Sequence, residues 1–264
     1  MRRRFFVERF AGQTARLAGE AAHHLGRVLH AEPGQLYELS DGNSVFLARI
    51  ERISSSDIDF SLLEALPGPA ASPEIVLLLA IVKFDRFEWA LEKATELGVH
   101  IVVPLAAERT AKALLQASLK RADRWRKILR ESAQQARCLR PPTLEATLRP
   151  AAAFAQAAAQ AADGINVLFS ERPSAVPART VFRQLASKAK QEFAPRRITL
   201  AFGPEGGWMD QEFEAASAAG FQEASLGRNI LRSETAVIAG LAAVHLYFDL
   251  DAEPEGPAPA QPVG

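Results

Sequence analysis

Between Ala201 and Gly207 the chain reads Ala-Phe-Gly-Pro-Glu-Gly-Gly, with three glycines in five residues. Glycine at that density lets a backbone turn tightly and approach a ligand closely. The order matches neither of two well-known nucleotide loops: the glycines do not follow G-x-G-x-x-G, and no Gly-Lys-Ser/Thr occurs in the chain. Taken alone, the run fits a plain connection better than a ligand loop. Some twenty residues later comes Ser225-Leu226-Gly227-Arg228-Asn229-Ile230-Leu231-Arg232-Ser233-Glu234-Thr235. Leu226, Ile230 and Leu231 can wall a flat ring. Ser233 has the chemistry of a helix N-cap, and Glu234 would then sit favourably in the first turn. Small residues at Ala236, Gly240 and Ala243 allow close backbone packing along that helix. An ordinary buried helix with a capped start serves the same pattern.

Other reactive groups are sparse. The single cysteine, Cys138, has no neighbouring His or Asp to activate it and excludes a disulfide framework. His23, His24 and His30 are poorly spaced for a metal, because adjacent helical residues point to different faces, so no metal is expected. The net charge is zero, yet residues 120 to 149 hold nine Lys or Arg against Asp123, Glu131 and Glu145. That surplus is compatible with a solvated helix face and, equally, with a surface that tracks a phosphate backbone. No run is long enough to span a bilayer, and the basic start, Met1-Arg2-Arg3-Arg4, lacks the apolar stretch of a signal peptide. With one cysteine, these features point to a cytoplasmic setting.

The elements that must position these groups fall into two units. Residues 1–66 read as β-rich. Gln35 to Ser40 and Ser44 to Ile53 flank an Asp41-Gly42-Asn43 hairpin turn, and Asp57 to Leu63 alternates as a half-buried strand. A helix over Ala21 to Leu29 interrupts the strands, and a small barrel is expected. Residues 67–73 are a Pro- and Gly-rich linker. From residue 74 to 250, strands alternate with helices, the signature of a mostly parallel α/β sheet. The strands are Ile75 to Val82, His100 to Leu105, Asn166 to Ser170 and Ile198 to Phe202. The helices are Phe84 to Leu97, Ala122 to Arg137, Ala151 to Ala162, Asp210 to Ala219 and Ser233 to Tyr247. Residues 251–264 read as a disordered tail.

The string Gly203-Pro204-Glu205-Gly206-Gly207, followed by Leu226-Gly227-x-x-Ile230-Leu231-Arg232-x-Glu234-Thr235-Ala236, resembles the 16S ribosomal RNA (uracil-N3) methyltransferase family of the SPOUT superfamily. Further matches are Arg3-x-Phe5-Phe6-Val7, His23-His24-Leu25-x-x-Val28-Leu29, Lys83-x-Asp85-Arg86-x-x-Trp89, Glu92 through Val99, Glu108-Arg109 and Arg140-x-Pro142. The chain departs from the pattern at Arg137-Cys138, where the family carries Gly-Arg.

The resemblance implies a PUA-like RNA-binding barrel followed by a trefoil-knotted methyltransferase domain. It also implies a homodimer formed through the knot and S-adenosylmethionine as cofactor. The implied cofactor residues are Phe169, Ser170 and Glu171, then Ala201, Phe202, Gly203, Pro204, Glu205 and Gly207. Leu226, Gly227, Asn229, Ile230 and Leu231 follow, with Thr235 and Ala236. Arg3, His24, Arg27, Arg86, Arg109, Arg137 and Arg140 are the candidate contacts to 16S ribosomal RNA. Uracil N3 must lose a proton before it attacks a methyl group, which assigns Arg232 to stabilising the anionic ring and Glu205 or Glu234 to accepting the proton. Arg232 would otherwise be a structural partner of one of those acids. A ribose 2′-O-methyltransferase and a non-catalytic ribosome-assembly protein are the competing functions.

Overall fold

The computed structural model describes residues 3–68, 72–160, 164–191 and 195–248. Parts of the expected linker (69–71) and of the alanine-rich helix (161–162), the end of the second unit (249–250) and the whole expected tail lie outside the described residues.

The first unit is a mixed sheet. It contains β1 (Arg4–Phe6), β2 (Phe10–Ala11), β3 (Thr14–Ala18), α1 (Gly19–His23), β4 (Leu36–Ser40), β5 (Val45–Ile53) and β6 (Asp57–Leu66). The strand order is β1-β4-β5-β6-β3-β2, with β1 and β4 parallel and the other pairs antiparallel. Among the described residues the sheet ends open at β1 and β2, so the expected barrel takes the form of a curled sheet. Irregularities at Leu47/Ala48 and Ile50/Arg52 help to bend it. Its concave side buries Phe5, Leu17, Leu25, Leu39, Ile50 and Phe60. The hairpin turn forms as expected: the Asp41 carboxylate accepts the N–H of Asn43 at 2.9 Å and of Ser44 at 2.8 Å. The expected helix over 21–29 is instead split. After α1 the chain widens into a π-turn over His24–Val28, where Leu29 N–H donates to the carbonyl of His24 at 3.0 Å.

The second unit runs β7 (Glu74–Ala80), α2 (Phe84–Glu96), β8 (Ile101–Leu105), α3 (Lys112–Ser118), α4 (Ala122–Gln135), β9 (Thr143–Leu144) and α5 (Pro150–Gln160). It continues β10 (Ile165–Phe169), β11 (Val176–Pro177), α6 (Ala178–Gln191), β12 (Arg197–Phe202), α7 (Asp210–Ala218), β13 (Gln222–Ser225) and α8 (Ser233–Phe248). All seven strands are parallel, in the order β11-β13-β10-β12-β7-β8-β9. Helices cover both faces, so β7, β10 and β12 read as near-continuous apolar runs. Helices α2, α6 and α8 share one face; α5 and α7 share the other. In the register, Phe169, Phe202 and Leu79 stand side by side, and Ala224 flanks Phe169. The carboxyl ends of β10, β12 and β13 are therefore level, and the loops that leave them must meet.

The units are joined through the segment after α4. Glu38 on β4 accepts two hydrogen bonds from Arg4, at 3.0 and 3.1 Å, and lies 3.4 Å from the Arg137 guanidinium. Arg4 also donates to the carbonyls of Arg137 and Cys138, and Ser40 Oγ donates to the Leu139 carbonyl. Arg137 has φ +55, in the left-handed region. A side chain there costs about 1 kcal/mol or more, and glycine avoids the cost. This chain places arginine there and uses its side chain against Glu38.

Candidate functional site

The three loops expected to hold a cofactor do converge. With the start of α8 they enclose a cavity of about 510 Å³ at the carboxyl ends of β10, β12 and β13, the place where open parallel sheets bind ligands. Every expected residue of Phe169 to Glu171, Phe202 to Glu205, Gly207, Leu226, Gly227, Asn229 to Leu231 and Ala236 lines it. Two do not. Ala201 is fully buried and faces the α5–α7 side of the sheet. Thr235 is exposed on α8 and points away from the cavity lining. The cavity is also lined by Arg172, Gly206, Trp208, Phe213, Ser225 and Ser233, which the sequence motifs leave unassigned. Arg172 and Phe213 belong to no glycine-rich string, so nothing local marks them.

The loops are tied to one another. The Trp208 indole N–H donates to the Phe169 carbonyl at 3.0 Å, joining the β12 and β10 loops. Arg109 donates to the Gly206 carbonyl at 2.6 Å. Arg109 is held there because the buried Glu212 carboxylate caps α7 at Met209 N–H, 2.7 Å, and also accepts the Glu108 N–H at 3.0 Å. Glycine is required at Gly203, where a Cβ would lie 3.0 Å from Trp208, and at Gly227, whose φ of +139 other residues rarely adopt. Ser233 does not cap α8 as its sequence position suggests. Its hydroxyl donates to the Gly203 carbonyl at 3.4 Å. The first helical bond instead runs from Ala236 N–H to the Arg232 carbonyl, 2.9 Å.

The charged groups fall in several places. Arg86, expected on an RNA surface, forms an ion pair with Glu205 and lies 4.0 Å from Glu234. Arg232 pairs with neither acid among the described residues; it is exposed at the cavity rim. Glu234 is buried behind the cavity, and its Oε2 has no hydrogen-bond partner among the described residues. Of the other RNA candidates, Arg109 lines the cavity and Arg137 faces Glu38 at the junction of the units. Arg3 and Arg27 are exposed, His24 is half-buried, and Arg140 is exposed beside Gly42.

The basic stretch is less cationic than its sequence. Arg121 and Arg124 both pair with Glu88, whose carboxyl the Arg124 and Arg121 guanidiniums hold below the ordinary carboxylate range. Arg126 pairs with Asp123, and Lys127 reaches Glu20 of the first unit. Cys138 is partly buried, and burial raises its thiol pKa, so it is a poor nucleophile at neutral pH. Among the described residues there is no cluster of three metal-binding side chains and no helix long and apolar enough to cross a membrane.

A family model described as an RNA methyltransferase domain matches residues 70–245. The ribosomal RNA small subunit methyltransferase E of Synechocystis is 32% identical over 248 residues, covering 92% of this chain and 76% of that protein. The protein of the same name from Bacillus subtilis is 26% identical, covering 94% and 97%. In three dimensions the chain is similar to the ribosomal RNA small subunit methyltransferase E of Neisseria gonorrhoeae, solved with bound S-adenosyl methionine. The TM-score is 0.80 at 26% identity, covering 93% of this chain and 98% of that one.

Proposed function

The chain belongs to the RNA methyltransferase family, and from that premise we propose that it methylates N3 of one uridine of 16S ribosomal RNA, near the decoding centre, using S-adenosylmethionine. The observation that carries this reading is the convergence of three loops on one cavity at the carboxyl ends of β10, β12 and β13.

The residues present fit the cofactor. About 510 Å³ lies within the ~300–1,000 Å³ typical of cofactor sites. Leu226, Ile230 and Leu231 offer an apolar wall to a flat ring. The Cβ positions of Gly203 and Gly206 are already filled by Trp208 and Arg109, so the loop presents backbone to a ligand. When bound, the cofactor supplies an electrophilic methyl group on a cationic sulfur. The protein must hold the uracil ring against it and remove the N3 proton. Arg232, exposed at the rim, stabilises the anionic ring through its carbonyl oxygens. Glu205, at the cavity surface, accepts the proton. Glu234, buried beside Arg86, keeps that arginine in place.

Several finer features belong to the same reading. Strand β13 lies on the far side of β10, and α8 then returns to pack on β12, α2 and α6, a path that supports a trefoil knot. Leu246 on α8 is 79% exposed, which supports burial of α8 against a second copy. The curled first sheet is read as PUA-like, with Arg3, His24, Arg27 and Arg140 contacting RNA. One cysteine in 264 residues supports a cytoplasmic setting.

The test is mass spectrometry of small-subunit RNA from a deletion strain with and without the protein restored. Loss of one 3-methyluridine, recovered on restoration, is expected. Loss of a ribose methyl group instead would point to the 2′-O reaction, and no loss would defeat the proposal. Arg232→Ala is expected to lower kcat by roughly a hundredfold; a variant working at the wild-type rate would remove Arg232 from the mechanism.

A further inference from the structure

Four arginines line the cavity. Arg86 is engaged by Glu205, Arg109 by the Gly206 carbonyl, and Arg232 is assigned above to the uracil. The fourth, Arg172, has no such occupation. It stands on the loop leaving β10, where its own N–H donates to Ser170 Oγ at 3.1 Å. Its guanidinium lies 4.2 Å above the ring of Phe213, which rises from α7 and also lines the cavity. The acid it approaches, Asp210, is 3.7 Å away and 89% exposed. That separation is too long for a hydrogen bond, and an exposed pair of this kind is weak and easily exchanged.

A guanidinium stacked on an aromatic face is fixed in plane while its N–H edge stays available. That edge matches a carboxylate, which it binds through two parallel hydrogen bonds. S-adenosylmethionine carries one anionic group, the carboxylate of its amino-acid end. Its adenosine is expected against Leu226, Ile230 and Leu231, and its methyl group must face Arg232. We propose that Arg172, seated on Phe213, is the residue that binds the cofactor's carboxylate. This rests on the cofactor reading given above.

The test is calorimetric titration of the intact protein with S-adenosylhomocysteine and with methylthioadenosine, which keeps the adenosine and sulfur but lacks the amino-acid end. The wild type should bind both, the first more tightly. Arg172→Ala should weaken S-adenosylhomocysteine on the order of tenfold and methylthioadenosine by less than about twofold. Arg172→Lys should fall between, keeping the charge without the fork. Phe213→Leu should repeat the selective loss. Equal weakening of both ligands, or no change in either, would overturn the assignment. So would a loss confined to binding of an RNA oligonucleotide, which would make Arg172 a phosphate contact. If the wild type binds neither adenosine compound, the cofactor reading itself falls, an outcome distinct from the others.

Discussion

Arg86 at the start of α2 pairs with Glu205 of the loop after β12 and lies 4.0 Å from Glu234 at the start of α8. Nothing in the sequence ties Arg86 to Glu205, 119 residues away; only the meeting of β7 and β12 in the sheet does. A second residue carries a pH dependence. His100 is largely buried, and burial lowers its pKa from 6.5. Its Nδ1 accepts the N–H of Ile75 at 3.1 Å, which a proton on that nitrogen would prevent. The unfolded chain thus takes up a proton near the ordinary value that the folded protein refuses until lower pH. Stability should be level above about pH 7 and decline between about pH 7 and 5, before the carboxylates titrate. His100→Asn keeps an acceptor that does not titrate and should flatten this part of a urea-unfolding series. An unchanged slope would clear His100.

At the scale of elements, α8 lies so close to the sheet that Gly240 has no room for a side chain. A Cβ there would come within 2.7 Å of Phe202 and 3.1 Å of Phe169, two rings stacked at 4.6 Å. Gly240→Ala should destabilise by about 1–3 kcal/mol, read as a lower Tm, and should weaken cofactor binding because both rings line the cavity. A Tm equal to wild type would mean that α8 can shift outward. The small-residue spacing at Ala236, Gly240 and Ala243 made this close approach legible in sequence. The long apolar strands and the helices bounded by Gly98 and Gly220 were legible for the same reason: each follows a clean period. Strand β13 was not. It is only Gln-Glu-Ala-Ser, with Ala224 alone fully buried, and its pairing with β10 and β11, not its composition, makes it a strand. Helix α6 could have been found, since Val181, Phe182, Leu185 and Ala186 form a helical stripe. The split of the 21–29 helix into an α and a π turn leaves no trace in residue type.

At the scale of the molecule, Glu38 is one of the groups at the junction of the two units. Its carboxylate is 9% exposed and serves Arg4 and Arg137 together. Glu38→Gln would leave two guanidiniums without their acid, and should cost about 3 kcal/mol, read as a lower Tm. A single, unshifted transition would show that the contact contributes little. The approach of Arg137 to Glu38 has no signal in the sequence; partners 34 and 99 residues apart cannot be read from a local pattern. The charge balance of 120–149 was likewise not legible, because Glu20, Glu38 and Glu88, which neutralise part of it, all lie outside that stretch. The same junction has a consequence for what the protein can recognise. With Arg4, Ser40 and Lys127 fastening the units at separate points, the span from Arg3 and Arg27 to the cavity is fixed, like the jaws of a caliper. On the RNA contacts proposed above, an RNA would be accepted when its anchoring phosphates and its target base already stand at that distance. Folded tertiary shape, more than the bases flanking the target, would then be the property that the molecule measures.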